Sequence, residues 1–254
     1  MYHFFSFQQN NWRKKTIFVA DMKKSYRFLS SALLVAMLLW ASVANAQNQD
    51  DFFSKVVELL NEMSDEEKAY VRENMLVVPA KYTASHNHPS SYLITPNPAP
   101  DTQTKVECAA CSSAYLLRFY GETANGVELY HQDSFPNKYE GGAFPRCFKT
   151  FFEELHKGYT TEYYTGTTDD LKDAVSQGIP VIALLLYNRK SMHYVPVVGY
   201  DESHFFIQNS VEKYRNVKDN PSYNESLPID QFDAMWNIPI ECCQRLFVVV
   251  RKAE

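Results

Sequence analysis

Four strand-like runs occupy the C-terminal third of this 254-residue chain and limit the folds open to it. They are rich in β-branched and aromatic residues, and they cover 180–187, 193–200, 204–208 and 245–251. The connection 199–203 between the second and third runs is short enough for a hairpin. Apolar spacing predicts helices over 108–120, 147–157, 169–175 and 229–236. Helices followed by an antiparallel sheet are an α+β pattern, which is the fold class we expect.

The first 46 residues differ in composition from the rest. They hold six Lys or Arg and one acidic residue, so the remaining 208 residues carry 19 basic and 29 acidic side chains, a net charge of −10. An apolar run, 31–39, follows Lys23 and Lys24 and precedes Ala44-Asn45-Ala46. A basic start, a short apolar stretch and small residues before a cleavage point are the parts of a secretory signal peptide. We therefore predict cleavage before Gln47 and a protein that is periplasmic or secreted.

Residues 1–46 form this predicted signal peptide, of which 1–21 are an over-long start if translation begins at Met22. The alternative is a membrane anchor, because the uncharged run 28–47 is nearly long enough to span a bilayer. Its second half is Ala, Ser and Asn rather than Leu and Ile, which favours the signal peptide. We expect no membrane partner once the signal peptide has been removed.

The composition of the chain argues against a nucleic-acid partner and against a disordered protein. Its Lys and Arg residues are scattered and leave no footprint for a phosphate backbone, so nucleic acid is not an expected partner. With 45% hydrophobic and 15% aromatic residues, the chain does not have the composition of a disordered protein. About 200 residues are enough for one sizeable core. We expect one domain, 102–254, with an appendage in front of it.

The appendage covers 47–101. Apolar spacing through 51–60 predicts a helix, and Ser64-Asp65-Glu66-Glu67 is a capping box for a second one. Five prolines without periodicity then predict a linker or wrapping arm. We expect this arm to pack on the domain; the alternative is that it covers the cleft as a propeptide would. His86 and His88 lie in the arm, but two loop histidines without further ligands are more often surface residues than a metal site.

Cys108 begins a predicted helix, where unpaired amides and the helix macrodipole favour thiolate over thiol. A thiolate nucleophile needs an imidazole to pair with and a third group to orient that imidazole. His193 starts a predicted strand, and Asn209 lies on the next strand after the hairpin, where the two can come together. Gln103, five residues before Cys108, is placed to donate an N–H to an oxyanion.

Taken singly, these residues have simpler interpretations. A lone buried cysteine is usually a small hydrophobe, and a strand histidine is usually a core or surface residue. Their order and spacing together favour a catalytic site made of Cys108, His193, Asn209 and Gln103. No metal and no cofactor is expected in it.

The surroundings of these residues resemble a known family. Residues 107–121, ECAACSSAYLLRFYG, resemble the nucleophile helix of the bacteriocin-processing, double-glycine leader peptidase-like family, a branch of the papain-like cysteine peptidases. Three further segments resemble strands of the same family, namely GIPVIA at 178–183, HYVPVVGYD at 193–201 and FIQNS at 206–210. Residues 228–236 resemble the helix that follows those strands. The resemblance covers about 103–250. It implies a papain-like fold in which the nucleophile helix packs on an antiparallel sheet.

Position by position, the resemblance implies Cys108 as nucleophile, His193 as general base and acid, Asn209 as orienting residue and Gln103 at the oxyanion hole. It implies hydrolysis of a peptide or amide bond through a thioester, with a peptide or protein as substrate. Ala109-Ala110 departs from the family's usual Gly-Pro, and the leader-cleaving role of its transporter-fused members does not carry over. Two alternatives stay open. One is a catalytically silent module that binds peptides or a surface partner; the other is amidase or acyltransferase chemistry, such as hydrolysis of peptidoglycan cross-links.

Cys108 and Cys111 form a Cys-x-x-Cys pair, which leaves the nucleophile contestable. A redox motif would follow a strand in a βαβ unit, whereas a Pro-rich arm precedes this pair. By analogy with papain, Cys111 would be the nucleophile and Cys108 would bond to Cys147. The resemblance keeps its offsets only with Cys108 as nucleophile, and in an exported protein Cys111 and Cys147 would then pair with Cys242 and Cys243 in one of two ways.

Overall fold

The structure is a computed structural model that describes residues 76–253 except 85–86, 96, 133–134, 140–141, 189–190 and 241, together with 64–66 and 69. The predicted signal peptide and most of the predicted helical appendage therefore lie outside the described residues. Asp65, Glu66 and Ala69 are helical. Within the described ranges, no helix is long and apolar enough to cross a membrane.

The described residues form helices and strands in an order close to the predicted one. The helices are α1 (Cys108–Phe119), α2 (Gly126–His131), α3 (Cys147–Lys149), α4 (Thr168–Ser176) and α5 (Ile229–Trp236). A π-helix over Thr150–His156 continues α3, and a 3-10 turn covers Glu212–Tyr214. The strands are β1 (Ala80–Lys81), β2 (Tyr92–Leu93), β3 (Lys138–Tyr139), β4 (Gly142–Ala143), β5 (Tyr159–Thr165), β6 (Val181–Tyr187), β7 (Ser191–Tyr200), β8 (His204–Ile207), β9 (Glu225–Pro228) and β10 (Leu246–Lys252).

One large sheet organises the domain. Its strand order is β1-β5-β10-β6-β7-β8-β9, and its pairs are antiparallel except for the parallel pair β1–β5. β2 pairs with β7 at Gly199 and Tyr200, beyond the Val197–Val181 pair where β6 begins. Gly199 is required there, because a Cβ at this position would lie 2.6 Å from the Tyr92 carbonyl oxygen. The predicted α+β class is confirmed.

Alternate strand residues face two separate cores. Val248 and Val250 of β10 pack in the core that α1 and α3 cover. Phe247 and Val249 of the same strand pack in the core that α4 and α5 cover. The helix that begins at Cys108 thus packs on one face of an antiparallel sheet, as the sequence predicts.

The Pro-rich arm packs along this domain. Tyr82, Ala84 and Ile94 are buried in the core on the α4 side, and the arm supplies β1 and β2 to the sheet. His88 Nε2 lies 2.7 Å from Asp169 Oδ1, so this loop histidine tethers the arm to α4. These contacts are those of a packing extension.

Several elements were not predicted from sequence. The predicted helix over 147–157 is α-helical only at its start and then widens into the π-helix, which ends at Lys157 and Gly158 with positive φ angles of 66° and 80°. β5 and β9 carry weak signals, since β5 is largely polar and β9 has only four residues. The two-residue strands β1 and β2 exist only through their pairing with the sheet.

Candidate active site

Cys108 is the first residue of α1 and follows Glu107 at the N-cap position. Burial raises the pKa of the Cys108 thiol to about 11, although the nearby backbone N–H groups of Tyr194, Ala109 and Cys108 itself lower it in part. The amides at the helix N-terminus lower the pKa of the thiol, as the sequence predicts, but burial raises that pKa by more. The thiol, whose residue is 7% exposed, is therefore protonated at neutral pH in this resting structure.

His193 and Asn209 are in direct contact. The Nε2 atom of the His193 ring lies 2.9 Å from Oδ1 of Asn209. The backbone N–H of Val211 donates to the same Asn209 oxygen at 2.8 Å, which identifies that atom as an acceptor. The ring must therefore carry its proton on Nε2, and Nδ1 keeps the lone pair that a general base needs.

The His193 ring is buried and lies against the Asn209 amide and the rings of Tyr187 and Tyr214. Burial lowers the pKa of the imidazole to about 4, and the hydrogen bond to Asn209 raises it only in part. The ring is thus neutral at physiological pH. A neutral imidazole beside a protonated thiol is the uncharged form of a thiol–imidazole pair.

Tyr194 connects the helix to the histidine strand. Its backbone N–H lowers the pKa of the Cys108 thiol, and its carbonyl accepts a hydrogen bond from Ser112 Oγ at 3.2 Å. Its ring packs edge-on against Phe148 of α3 at 5.0 Å between centroids. Because Tyr194 directly follows His193, these contacts bring the start of α1 to the imidazole. No hydrogen bond joins the thiol to the imidazole in the described part of the chain; apo active sites often lack such a bond until substrate binds.

Cys111 has a different setting. Gly126 of α2 packs so tightly on it that a Cβ at that glycine would lie 2.3 Å from Cys111 Cα. The pKa of its thiol is raised further than that of Cys108, first by burial and then by the carboxylate of Asp101. Cys111 resembles a packing residue, whereas Cys108 has the amide donors of a nucleophile.

All five cysteines are thiols in this structure. Neither the predicted pairing of Cys111 and Cys147 with Cys242 and Cys243 nor the alternative Cys108–Cys147 bond is formed. Cys147 and Cys243 pack in the same core as Cys108, whereas Cys111 faces α2. Cys242 and Cys243 are neighbours with sulfurs 3.6 Å apart.

Gln103 lies in the turn before α1 and is attached to the segment that carries Asn209. Its backbone N–H donates to the Ser210 carbonyl at 3.0 Å, and its Oε1 accepts from Ser210 Oγ at 2.6 Å. Its Nε2 donates to the Lys105 carbonyl at 2.8 Å, which occupies one of the two N–H groups of the amide. The predicted oxyanion donor is thus held next to the orienting residue, with one amide hydrogen left beyond the Lys105 bond.

Glu107 is a residue that the sequence reasoning missed. Its buried carboxylate accepts from the N–H groups of Thr104 at 3.1 Å and Lys105 at 2.7 Å, and from Thr104 Oγ1 at 2.7 Å. Burial raises the pKa of Glu107, but these hydrogen bonds outweigh it and lower the pKa overall. The carboxylate therefore shapes the turn between Gln103 and Cys108. The Thr-x-x-Glu spacing just before the helix is the signal that could have revealed it.

The described residues contain no group of three or more His, Cys, Asp or Glu side chains arranged to hold a metal ion.

The buried neutral imidazole makes the fold sensitive to acid. The pKa of His193 is about 4 in the folded protein, against 6.5 for an unperturbed histidine. Because the folded-state pKa is the lower one, the unfolded state binds the proton first as the pH falls. The contribution of the neutral imidazole to the free energy of unfolding is complete above pH 6.5 and is lost as the pH falls towards 4. We expect His193 to lower the free energy of unfolding by about 2 kcal/mol between pH 7.5 and pH 5, measured by urea unfolding.

The control for this measurement is His193→Gln, which keeps a side-chain amide towards Asn209 but cannot titrate. Its free energy of unfolding should change less between the two pH values than that of the wild type, by the same amount of about 2 kcal/mol. An equal change in both proteins would show that the imidazole is not held neutral.

Comparison with known proteins identifies one family and several distantly similar structures. A family model described as Peptidase_C39 like family matches residues 95–238. The curated proteins contain no match. Similar solved structures include the peptidase domain of Streptococcus ComA, a bi-functional ABC transporter involved in a quorum sensing pathway. It is 14% identical, with 61% of this chain and 98% of that chain covered and a TM-score of 0.46.

Two further structures show a similar distant likeness. A putative C39-like peptidase from Bacillus anthracis is 17% identical, with 64% of this chain and 98% of that chain covered and a TM-score of 0.45. A double glycine motif protease from an AMS/PCAT transporter, solved in complex with the leader peptide, is 14% identical, with 65% and 99% covered and a TM-score of 0.44.

The family match runs from the Pro-rich arm through α5 and includes Gln103, Cys108, His193 and Asn209. It covers more than half of the sequence and confirms the family and the papain-like fold class that the sequence predicts. The chain belongs to the Peptidase_C39 like family.

Proposed function

We propose that this protein is a cysteine peptidase that hydrolyses a peptide or amide bond through Cys108, His193 and Asn209. The observation that carries the proposal is the 2.9 Å hydrogen bond from His193 Nε2 to Asn209 Oδ1. It leaves Nδ1 as a base on the strand residue whose neighbour, Tyr194, contacts the Cys108 sulfur. Membership of a peptidase family supports the same conclusion.

The reaction follows from these positions. The Cys108 sulfur attacks the carbonyl carbon of the substrate while its proton passes to His193 Nδ1, and the carbonyl electrons move onto oxygen. Backbone N–H groups at the start of α1 and the second N–H of the Gln103 amide would stabilise that oxyanion. The imidazolium then protonates the leaving amine, which departs as the thioester forms. Water, deprotonated by the same imidazole, hydrolyses the thioester and restores the thiol.

One observation favours a second candidate, the catalytically silent module that binds peptides. Cys108 is buried, and burial raises the pKa of its thiol to about 11, which alone would make a poor nucleophile at neutral pH. The two candidates differ in whether His193 can take the thiol proton at neutral pH.

Alkylation distinguishes the two candidates. With iodoacetamide at pH 7, followed by peptide mapping, we expect Cys108 to be labelled faster than the more exposed Cys242, because an adjacent base generates the thiolate. His193→Ala should slow the labelling of Cys108 by at least about tenfold.

His204→Ala is the matched control, because this half-buried histidine of β8 lies outside the site and contacts Asp201 and Ser203. It should leave the labelling of Cys108 unchanged. If Cys108 is labelled no faster than Cys242, the peptidase proposal fails and the binding module is favoured.

Gln103 is proposed as an oxyanion donor, and hydrolysis tests this role separately from thiolate formation. Alkylation by iodoacetamide passes through no tetrahedral oxyanion, so Gln103→Ala should leave that rate unchanged. The same variant should lower kcat for a peptide chosen from a proteome-derived library by about 10²–10³-fold. Equal losses in both assays would indicate that Gln103 only supports the local structure, as its bonds to Ser210 also allow.

We also propose that the protein acts outside the cytoplasm, on a peptide or protein. The basic, apolar and small-residue order of 1–46 supports export. Expression of the full chain in a bacterium should yield a mature protein that begins at Gln47, measured by N-terminal sequencing and intact mass. Ala44→Arg and Ala46→Arg together should block cleavage, and an unprocessed wild-type chain in the cytoplasm would contradict the proposal.

A further inference from the structure

The amide nitrogen of Asn209 faces a buried carboxylate on the side away from His193. Asn209 Nδ2 donates to Glu225 Oε2 at 2.6 Å and to the Tyr187 hydroxyl oxygen at 3.0 Å. The Tyr187 hydroxyl donates in turn to the same Glu225 oxygen at 2.7 Å. The imidazole, the carboxamide and the carboxylate therefore form one continuous hydrogen-bonded series.

The sheet places Glu225 at this point. Glu225 is the first residue of β9 and pairs with Ile207 of β8, two residues before Asn209. The preceding residue, Asn224, accepts from the Asn209 backbone N–H at 2.6 Å and donates to the Asn209 carbonyl at 2.9 Å. Asn224 and Glu225 thus hold the backbone and the side chain of Asn209 together.

Glu225 is buried without a cationic partner. The residue is 2% exposed, and no Lys or Arg ion pair reaches it among the described residues. A buried carboxylate is unfavourable unless it is hydrogen-bonded or faces a positive charge. Burial raises the pKa of Glu225 overall, because it outweighs the hydrogen bonds from Asn209 and Tyr187, which lower the pKa. A purely structural acceptor at this place would not need a charge.

The titratable groups near the Glu225 carboxylate are Tyr187, Tyr214, Lys213 and His193. Tyr187 of β6 lies against it and packs edge-on to His193 at 5.4 Å between ring centroids. Tyr214 stacks on Tyr187 at 4.3 Å, and Lys213 lines the adjoining cavity of about 570 Å³. Lys213 lies over the Tyr214 ring, 4.9 Å from its centroid. His193 is the group in this set that gains a positive charge during the proposed reaction.

We propose that Glu225 is a positioning residue of the site that acts through Asn209. Its carboxylate holds the carboxamide with Oδ1 towards His193, and its negative charge balances the imidazolium that forms when Cys108 loses its proton. The inference on charge depends on the proposed function, whereas the inference on orientation does not. The proton moves from Cys108 Sγ to His193 Nδ1, Nε2–H stays bonded to Asn209, and Glu225 takes up no proton.

Two substitutions separate the charge from the hydrogen bond. Glu225→Gln retains the size and an oxygen that can accept from both Asn209 and Tyr187, but it removes the charge. Glu225→Met has a similar length and removes the acceptor as well. Asp173→Asn is the matched control, because Asp173 is a buried carboxylate on α4 that accepts from the Tyr82 hydroxyl at 3.0 Å.

The first measurement is the pH profile of Cys108 alkylation by iodoacetamide. We expect Glu225→Gln to lower the rate at pH 7 by roughly tenfold, because a charge one side chain away shifts an imidazolium equilibrium by about one pKa unit. Above about pH 11, where the pKa of the buried Cys108 thiol lies, the thiol loses its proton to solvent and no imidazolium forms, so there the rate should equal that of the wild type. Asp173→Asn should match the wild type at every pH. A Glu225→Gln profile identical to that of Asp173→Asn would overturn the proposal.

The second measurement does not depend on reactivity. In ¹⁵N-histidine-labelled protein at pH 7.5, NMR should show His193 as the single Nε2–H tautomer in the wild type and in Glu225→Gln. In Glu225→Met, the second tautomer should appear, because the Asn209 amide then loses its shortest side-chain bond and is held against turning only by the Val211 N–H and the Tyr187 hydroxyl. A single Nε2–H tautomer in folded Glu225→Met would also overturn the proposal. If this variant does not fold, the Glu225→Gln profile decides alone.

These readouts separate the two proposals from each other. Wild-type Cys108 that reacts no faster than Cys242, together with a changed tautomer in Glu225→Met, would reject the peptidase function and support the positioning role of Glu225.

Discussion

The hydrogen bond between His193 and Asn209 is the contact around which this domain is arranged. The hairpin after β7 returns β8 alongside it, with Val197 opposite Ile207 and the Gln208 N–H bonded to the Pro196 carbonyl. Asn209, two residues after the end of β8, therefore lies beside His193 of β7. The segment before α1 is attached to the same place through the backbone bond from Gln103 to Ser210. One hairpin thus determines where His193, Asn209 and the turn before Cys108 meet.

The burial of this site sets its chemistry as much as its geometry does. Water is excluded from both Cys108 and His193, so the resting pair is neutral, with the pKa of the thiol raised and that of the imidazole lowered. The same exclusion strengthens every charge–dipole interaction that appears when the proton moves. Amides at the start of α1 face the sulfur, and the Asn209 amide supports the ring. The site is therefore preorganised for the charged state although it rests in the uncharged one.

The elements that the sequence predicted well are those whose signals are local. α5 was predicted at 229–236 and is found over those residues, since Pro228 ends the preceding strand and the apolar residues of the helix keep a helical period. His193 and Asn209 could be brought together because one short hairpin separates them. The family, too, was recognised from segments that are contiguous in the chain.

What could not be predicted depends on partners far away in the chain. β9 is four residues long and gains its strand conformation from pairing with β8. The sequence around Glu225 therefore does not predict its contact with Asn209. The π-helix after α3 and the two-residue strands of the arm likewise follow from packing. A cysteine at a helix start predicts a lowered pKa, but the extent of burial that reverses this shift comes from the core around it. Burial is a property of the whole fold, whereas a helix terminus can be read from a few residues.

The helix itself favours Cys108 over Cys111 as the proposed nucleophile. At the first position of α1, the backbone N–H groups have no carbonyl one turn earlier to bond, and those of Cys108 and Ala109 lower the pKa of the thiol. At Cys111 the N–H is already used, since it donates to the Glu107 carbonyl at 2.8 Å. A tetrahedral oxyanion formed at Cys111 would find no such donors on its own helix, and Gly126 closes the space beside it. Cys108 therefore has an electrostatic reason to react, whereas Cys111, three residues later on the same helix, packs against Gly126.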